Sequence, residues 1–405
     1  MRISTNMTYN KNMTFLQRAN TKLDSSTTRY NTGLKFDTAG EDPSGMSSKL
    51  KYDASIANYK QYATNAGLAA DTMAEEETAL DSMWTSLSSA HTRLIQAVDS
   101  TNDTTSRDAL AEDLMQLRDQ LCDLMNTQNA EGEYIFSGAR SHVTAMQKTS
   151  DGHYTCQADG QARVVQVAPS VTVQISDSGL NIFENCDLAK TISMTGDTND
   201  VYGMISNYGD YDELYSTWYD PTGNRANTLT LNVTADDKFT ITAPDGATVL
   251  ASGEVASDGS IQALGMNFSI ADGKTGQDRT IAVTMEKPQK GNILNELTDY
   301  IDTLRDGTIT TEELSDMMAQ AQVSVKNAMD HYDMYRGRVG SRENEVDNVI
   351  NSDTALKNIK TTSRANICEV DAFEAASDIV KDQQALQVAR SVFSSINGSS
   401  LFDYI

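Results

Sequence analysis

Residues 56–98 read IANYKQYATNAGLAADTMAEEETALDSMWTSLSSAHTRLIQAV, and no proline interrupts them. Apolar side chains recur through this stretch at alternating spacings of three and four residues. That spacing is typical of a helix that supercoils around a neighbouring helix. At 1.5 Å per residue, the stretch predicts a single helix about 60–65 Å long. Trp84 is expected to be a core aromatic residue of this helix.

The same spacing occurs towards both ends of the chain. Eight positions from Tyr9 to Leu34 follow it, six of them apolar, and a Gly/Asp/Pro loop at residues 38–45 ends that run. The polar residues 99–106 separate the long helix from a leucine run at 110–124, which indicates an antiparallel turn. Helical spacing resumes at 293–304 and 314–339, and it recurs from 372 to 396 with seven of eight positions apolar.

The middle of the chain has a different composition. Four of the five prolines and 15 of the 24 glycines lie between residues 138 and 291, where they favour turns over helices. Five segments in this region have the apolar and polar alternation of half-exposed strands. They are residues 162–167, 170–175, 228–233, 238–241 and 280–285. We therefore predict one β-rich insert, or two small ones.

These patterns together predict a mainly α fold with a β-rich insert. Both ends of the chain would form a long helical coiled-coil stalk, and the insert would form an outer β domain. The predicted segments are an N-terminal helix and loop (1–45), the first half of the stalk (46–138), the outer β domain (139–291), the second half of the stalk (292–365) and a C-terminal helix (366–405).

Charge and hydropathy exclude several classes of partner. The 32 Lys and Arg residues against 57 Asp and Glu residues give a formal net charge of −25, which repels a phosphate backbone. We therefore expect no nucleic-acid partner. Since no run of eighteen apolar residues occurs, we also expect no membrane span. The first residues lack a continuous apolar stretch, so no cleaved signal peptide is expected. The four cysteines are widely spaced, which favours free thiols.

The sequence offers little for catalysis. Only four histidines occur, at positions 91, 142, 153 and 331, and no nucleophile elbow, phosphate-binding loop, zinc motif or complete calcium loop accompanies them. We therefore expect no enzyme activity, no catalytic residues, no cofactor and no metal. The surplus carboxylates are interpreted as a solvated exterior.

Both ends of the chain carry an apolar stripe that needs a partner. Ordering the first helix costs about 1–2 kcal/mol per residue in backbone entropy, so burial of its few apolar side chains leaves it marginal alone. The C-terminal helix is the natural partner within the chain. Two arrangements stay open: a bundle closed within one chain, or stripes completed by neighbouring subunits, in which case order at the ends is coupled to assembly.

Particular segments at both ends and in the middle carry a family resemblance. They are residues 1–6 (MRISTN), 30–36 (YNTGLKF), the Asp42-Pro43 step, 132–138 (GEYIFSG), 369–372 (EVDA), 384–387 (QALQ) and 400–405 (SLFDYI). These segments resemble the bacterial flagellin superfamily. More narrowly, the last three are similar to the terminal helix and tail of its hook-filament junction group, hook-associated protein 3.

The resemblance implies a structural adaptor that joins the flagellar hook to the flagellin filament. It implies that paired terminal helices line the inner tube of a helical assembly while the β insert faces outward. The implied partners are copies of the same chain, hook-associated protein 1, flagellin and a flagellar export chaperone. The implied location is extracellular, at the hook-filament junction, after type III export in unfolded form without a cleaved signal peptide.

The candidate assembly interface combines the apolar stripes with the resemblance. The stripes contribute Met13, Leu16, Leu23, Tyr30, Leu34, Ile379, Leu386, Phe393 and Ile396, and the resemblance contributes Asp42, Pro43, Leu401 and Tyr404. Two other functions stay open. The chain could be a flagellin, which builds the filament itself, or a secreted adhesin or glycan-active protein whose β insert carries the activity.

Overall fold

The computed structural model describes residues 5–98, 104–271 and 273–398. Its helices are α1 (Thr5–Thr32), α2 (Pro43–Ala97), α3 (Thr104–Met125), α4 (Gly179–Phe183), α5 (Tyr208–Trp218), α6 (Ile293–Arg305), α7 (Thr311–Cys368) and α8 (Ala372–Gly398). The long helix predicted over 56–98 is therefore confirmed, and it begins earlier than predicted. Asp42 and Pro43 start it, because the Asp42 carboxylate accepts a hydrogen bond from the Gly45 N–H at 2.8 Å and proline suits the first helical position.

Short strands occupy the middle of the chain. They are β1 (Met146–Lys148), β2 (Tyr154–Cys156), β3 (Val164–Ala168), β4 (Val171–Gln174), β5 (Cys186–Asp187), β6 (Ile192–Gly196), β7 (Val201–Ile205), β8 (Thr228–Val233), β9 (Lys238–Thr242), β10 (Val249–Glu254), β11 (Ser260–Ala263), β12 (Met266–Ile270), β13 (Arg279–Met285) and β14 (Lys290–Gly291). A five-stranded sheet has the order β10-β9-β8-β13-β6, and a three-stranded sheet has the order β11-β12-β7. Three two-stranded sheets pair β1 with β2, β3 with β4, and β5 with β14.

The larger sheets and α5 enclose a core of their own. Buried side chains from both sheets and from α5 form one apolar cluster, which includes Tyr211, Leu229, Leu231, Phe268 and Ile281. The first and last strands of this region, β6 and β13, pair antiparallel with Met285 opposite Ile192. The chain therefore enters and leaves this two-sheet region at neighbouring positions.

The chain divides into two compact units. Unit 2 comprises residues 67–165 and 172–346, and its helices α3 and α6 pack against each other. Residues of α2, α3, α6 and α7 form its helical core, among them Leu80, Leu87, Leu114, Leu121, Leu297, Ile301, Met318 and Tyr332. A reciprocal capping box starts α7: the Thr310 hydroxyl accepts from the Glu313 N–H at 3.2 Å, and the Glu313 carboxylate accepts from the Thr310 N–H at 3.1 Å.

Unit 1 comprises the described residues up to Ala66, the segment Gln166–Val171 and the described residues from Asp347 onward. It contains α1, α8, the first part of α2 and the last part of α7. The short segment is tied to α2, because the Asn65 side-chain amide donates to the Gln166 carbonyl at 2.9 Å.

The fold class predicted from the sequence is confirmed, and all five predicted strand segments coincide with strands or overlap them closely. Residues 99–103 of the predicted turn and Asp272 lie outside the described residues. The expectation for Trp84 is wrong, because its side chain is 36% exposed while the neighbouring Met83 and Leu87 are buried.

A buried charge cluster, here called the Glu76 cluster, lies within unit 2. Glu76 on α2 is only 1% exposed, and it is accompanied by Asp177 and by Arg342 on α7. Arg342 lies 2.5 Å from the Asp177 carboxylate and 3.8 Å from that of Glu76. The Asp177 N–H donates to Glu76 Oε1 at 3.1 Å, whereas Glu76 Oε2 is buried without a hydrogen-bond partner. Two carboxylates therefore share one guanidinium in a site shielded from water.

Candidate assembly surface

The terminal helices α1 and α8 pack against each other as an antiparallel pair. Near one end, the rings of Tyr9 and Phe393 have centroids 5.5 Å apart. Further along, the Ser26 hydroxyl donates to the Asp382 carboxylate at 2.6 Å. The other end is closed by an antiparallel bridge between Leu34 and Glu369. The C-terminal stripe is thus a partner of the N-terminal stripe within one chain.

A polar cluster of Lys22, Ser26 and Asp382 interrupts the apolar contact between these helices. Asp382 is buried, and its second oxygen lies 3.1 Å from the Lys22 ammonium. The hydrogen bond from Ser26 and the charge of Lys22 hold the pKa of Asp382 below its ordinary value. Because a buried carboxylate needs both partners, the cluster favours one register of α1 on α8 over alternatives shifted by a turn.

The helix pair has a very small core of its own. Among the described side chains of α1 and α8, Ala375 and Leu386 are the buried apolar ones, and Ser26 and Asp382 are the buried polar ones. Several large apolar side chains of the pair remain exposed: Met7, Tyr9, Phe15, Tyr30, Phe373, Val380, Val388 and Val392. Exposed apolar side chains in this number are typical of interaction surfaces.

The residues predicted for the interface fall into three groups. Leu386 is buried, and Met13, Leu16, Leu23, Leu34, Asp42, Ile379 and Phe393 are half-buried. Tyr30 and Pro43 are exposed. Leu401 and Tyr404 lie outside the described residues, and so does the side chain of Ile396. Sequence reasoning did not select Phe373, Asp382 or Ser26, although Asp382 is the one polar position in the C-terminal stripe.

Two short connections lie side by side where the terminal helices meet the rest of unit 1. The Lys35 N–H donates to the Cys368 carbonyl at 2.7 Å, and the Val370 N–H donates to the Gly33 carbonyl at 2.9 Å. The Phe36 ring packs against Gly45 so closely that a Cβ at this position would lie 2.6 Å from the ring. A cavity of about 380 Å³ beside these connections is lined by side chains that include Arg29, Lys35, Glu41 and Glu374.

The buried cysteine thiols are weak nucleophiles. The four cysteines are free, as predicted, and burial raises the pKa of the Cys122 and Cys156 thiols to about 11 and that of Cys186 to about 12. These thiols are protonated at neutral pH and react slowly.

Within residues 5–98, 104–271 and 273–398, no three His, Cys, Asp or Glu side chains are grouped so that they could hold a metal ion. None of the helices described there has the length and apolar character needed to cross a bilayer.

Comparison with known families decides the relationship. A model of the bacterial flagellin N-terminal helical region matches residues 3–141, and a model of the flagellin C-terminal helical region matches residues 313–405. The two matches together span more than half of the chain. The chain belongs to the bacterial flagellin superfamily. It is a structural component of the bacterial flagellum.

Individual relatives are similar over different shares of the chain. The flagellar hook-associated protein 3 of Escherichia coli K12 is 23% identical over 404 residues, 99% of each chain. That of Salmonella typhimurium is 28% identical over 186 residues, 46% of this chain and 57% of the relative. Flagellin B of Helicobacter pylori is 29% identical over 123 residues, 30% of this chain and 24% of the relative.

Solved structures of the superfamily have the same fold. The flagellar hook-associated protein 3 of Legionella pneumophila aligns with a TM-score of 0.60 at 17% identity, over 78% of this chain and 98% of that one. Xanthomonas campestris FlgL aligns with a TM-score of 0.58 at 18% identity, over 78% and 99%. In both comparisons the likeness concerns the fold: terminal helices that flank a β-rich middle.

Proposed function

We propose that this chain is the structural adaptor that joins the flagellar hook to the flagellin filament. The end-to-end similarity to a hook-associated protein 3 supports this assignment, since the similarity to flagellin B covers only 30% of the chain. The observation that carries the proposal is the exposed apolar surface of the α1–α8 pair. In a single copy this surface faces water, and packing against neighbouring subunits removes it from water.

The terminal helices become fully ordered only on assembly. Together α1 and α8 hold 55 residues in helices, but among their described side chains only Ala375 and Leu386 are buried apolar residues. Ordering so many residues costs far more conformational entropy than two buried side chains offset. Contacts with neighbouring copies supply the missing burial, so folding of the pair is coupled to assembly.

Hydrogen exchange tests this coupling. In the free chain we expect the amides of residues 5–32 and 372–398 to exchange at least about tenfold faster than those of α6, because the pair opens locally at low cost. In the assembled state we expect both segments to be protected to the level of α6. Strong protection of both segments in the free chain would contradict coupled folding.

The partners follow from this role. The adaptor packs against copies of itself, against hook-associated protein 1 on the hook side and against the first flagellin subunits on the filament side. An export chaperone covers the chain in the cytoplasm, and the unfolded chain leaves through the flagellar type III apparatus. The assembled protein is extracellular.

Electron microscopy with a labelled antibody against the chain separates the adaptor from its alternatives. We expect label confined to the base of the filament on intact cells, because a junction contains few copies. Label along the whole filament would instead identify a flagellin. Label on the cell surface away from the flagellum would favour an adhesin or glycan-active protein.

A further inference from the structure

One aromatic side chain at the start of α8 is uncovered. Phe373 is 90% exposed, the highest value among the large apolar side chains that the structure describes. The backbone that carries it is capped, because the N–H groups of Phe373 and Glu374 donate to the Asp371 carboxylate at 2.8 and 3.2 Å. Residues 371–374, here called the Phe373 knob, thus present a phenyl ring between two acidic residues at the first turn of α8.

An apolar groove lies at the start of α2. Its volume is about 500 Å³, and its apolar lining includes Pro43, Met46, Leu50 and Ala54, with Lys51 at the rim. Leu50 is 60% exposed, so no side chain in the described part of the chain covers the groove at this point. This surface is here called the Leu50 groove. It has room for an aromatic ring, and aromatic rings bury more apolar area than most other side chains.

The charges around the two surfaces are complementary. Residues 43–66 and 348–366 contain six basic and two acidic side chains, in a chain whose net charge is −25. The Phe373 knob contains two acidic side chains and no basic one. Lys49 and Arg364 are already paired with Asp53, whereas among the described residues no carboxylate lies within 4 Å of the Lys51 ammonium. Lys51 is therefore available to an acidic partner.

We propose that the Phe373 knob of one copy of this chain inserts into the Leu50 groove of a second copy, with Glu374 facing Lys51. This inference rests on the proposed function, since it needs an assembly of several copies. Knob and groove are different surfaces, so the contact is heterologous. Repeating it builds a ring or a helix, the geometry that a junction requires, rather than a closed pair. Complementary charge sets the orientation of the ring in the groove.

Photo-crosslinking from position 373 tests the contact. The full-length chain, carrying a benzophenone amino acid in place of Phe373, is expressed in cells that lack the native copy and irradiated on intact flagella. We expect an adduct of twice the chain mass, with the cross-link inside residues 43–54. A cross-link to a different protein, a cross-link elsewhere in the chain, or no adduct from incorporated chain overturns the proposal. The same amino acid at Val249, an exposed position on β10, is the control and should give no cross-link to residues 43–54.

A charge exchange provides the second test. Glu374→Lys and Lys51→Glu should each lower the yield of the 373 cross-link at least about fivefold, and the two together should restore most of it, since the attractive pair is re-formed. Both residues are exposed, so thermal unfolding of each variant should match that of the parent. A double variant no better than the single ones overturns the proposal. If the parent chain never enters the flagellum, the adaptor role itself fails, whereas normal entry without the cross-link rejects only this contact.

Discussion

A chain carrying Leu386→Asp is expected not to assemble into the flagellum, while unit 2 keeps its fold. Leu386 is one of the two buried apolar side chains that the structure describes in the α1–α8 pair. A carboxylate at this position removes the burial of a leucine and desolvates a charge, at a cost of about 3 kcal/mol or more. Since the pair has little other core, that loss separates α1 from α8 and removes the surface that neighbouring subunits need.

Motility and filament attachment measure the outcome, and Gln383→Asp is the matched control. Gln383 is exposed and lies three residues before Leu386 on the same helix, so its substitution adds the same charge without entering the pair. We expect cells with Leu386→Asp to have hooks without attached filaments, and cells with Gln383→Asp to swim. Both tryptophans, Trp84 and Trp218, lie in unit 2, so their fluorescence should be the same in both variants. Attached filaments in the Leu386→Asp strain would reject the role assigned to α8.

The helices were predictable because the sequence pattern that indicates a helix is local. Spacings of three and four residues between apolar side chains, with few prolines and glycines, indicate a helix wherever they occur. This pattern places α6 and α8 within a few residues of their observed bounds, whereas α2 begins earlier and α7 ends later than the spacing indicates. Strands with one exposed face were predictable for the same reason. Alternation marks β8 and β13, whose buried side chains point towards one core.

Elements without alternation were missed. In β12, four of the five residues from Met266 to Ile270 are buried, because both faces of the strand are covered. β10 is an edge strand whose residues Val249–Glu254 are mostly exposed, so its sequence carries no apolar face. α5 is short and rich in tyrosine, and its helix start depends on the Asn207 side chain, which accepts from the N–H groups of Gly209 and Asp210.

The candidate surface was predictable in part. The apolar stripes select Leu386 and its half-buried neighbours, but they do not indicate which side chains stay exposed after α1 and α8 pair. Phe373 lies between the stripe positions of α8, and its exposure depends on the tertiary arrangement. The polar contact between Ser26 and Asp382 joins residues more than 350 positions apart. No spacing rule links such residues, because only the folded chain brings them together.

The Glu76 cluster also joins residues that are far apart in the sequence. It predicts that the free energy of unfolding of unit 2 depends on pH. Burial and the Asp177 carboxylate raise the pKa of Glu76 to about 8, and the charge of Arg342 opposes the shift only in part. A carboxyl whose pKa is higher in the folded state stabilises that state while protonated, and this stabilisation is lost as the pH rises through the folded pKa. From pH 7 to 8.5, unit 2 should therefore lose about 1 kcal/mol of unfolding free energy through Glu76.

Glu76→Gln is expected to remove this loss and to leave unit 2 more stable than the parent chain at pH 8.5. A neutral amide keeps an acceptor for the Asp177 N–H, and its NH₂ group can donate to the Asp177 carboxylate, so the oxygen that now lacks a partner is replaced by a donor. Urea unfolding followed by tryptophan fluorescence at pH 7.0, 7.75 and 8.5 measures the effect. Glu75→Gln, an exposed neighbour, should keep the pH dependence of the parent. The chosen range lies above the titration of His91 and His331, whose pKa values burial lowers from 6.5, and below that of the buried thiols. Equal slopes for Glu76→Gln and the parent would mean that Glu76 is already ionised at pH 7, with Arg342 rather than a proton neutralising it.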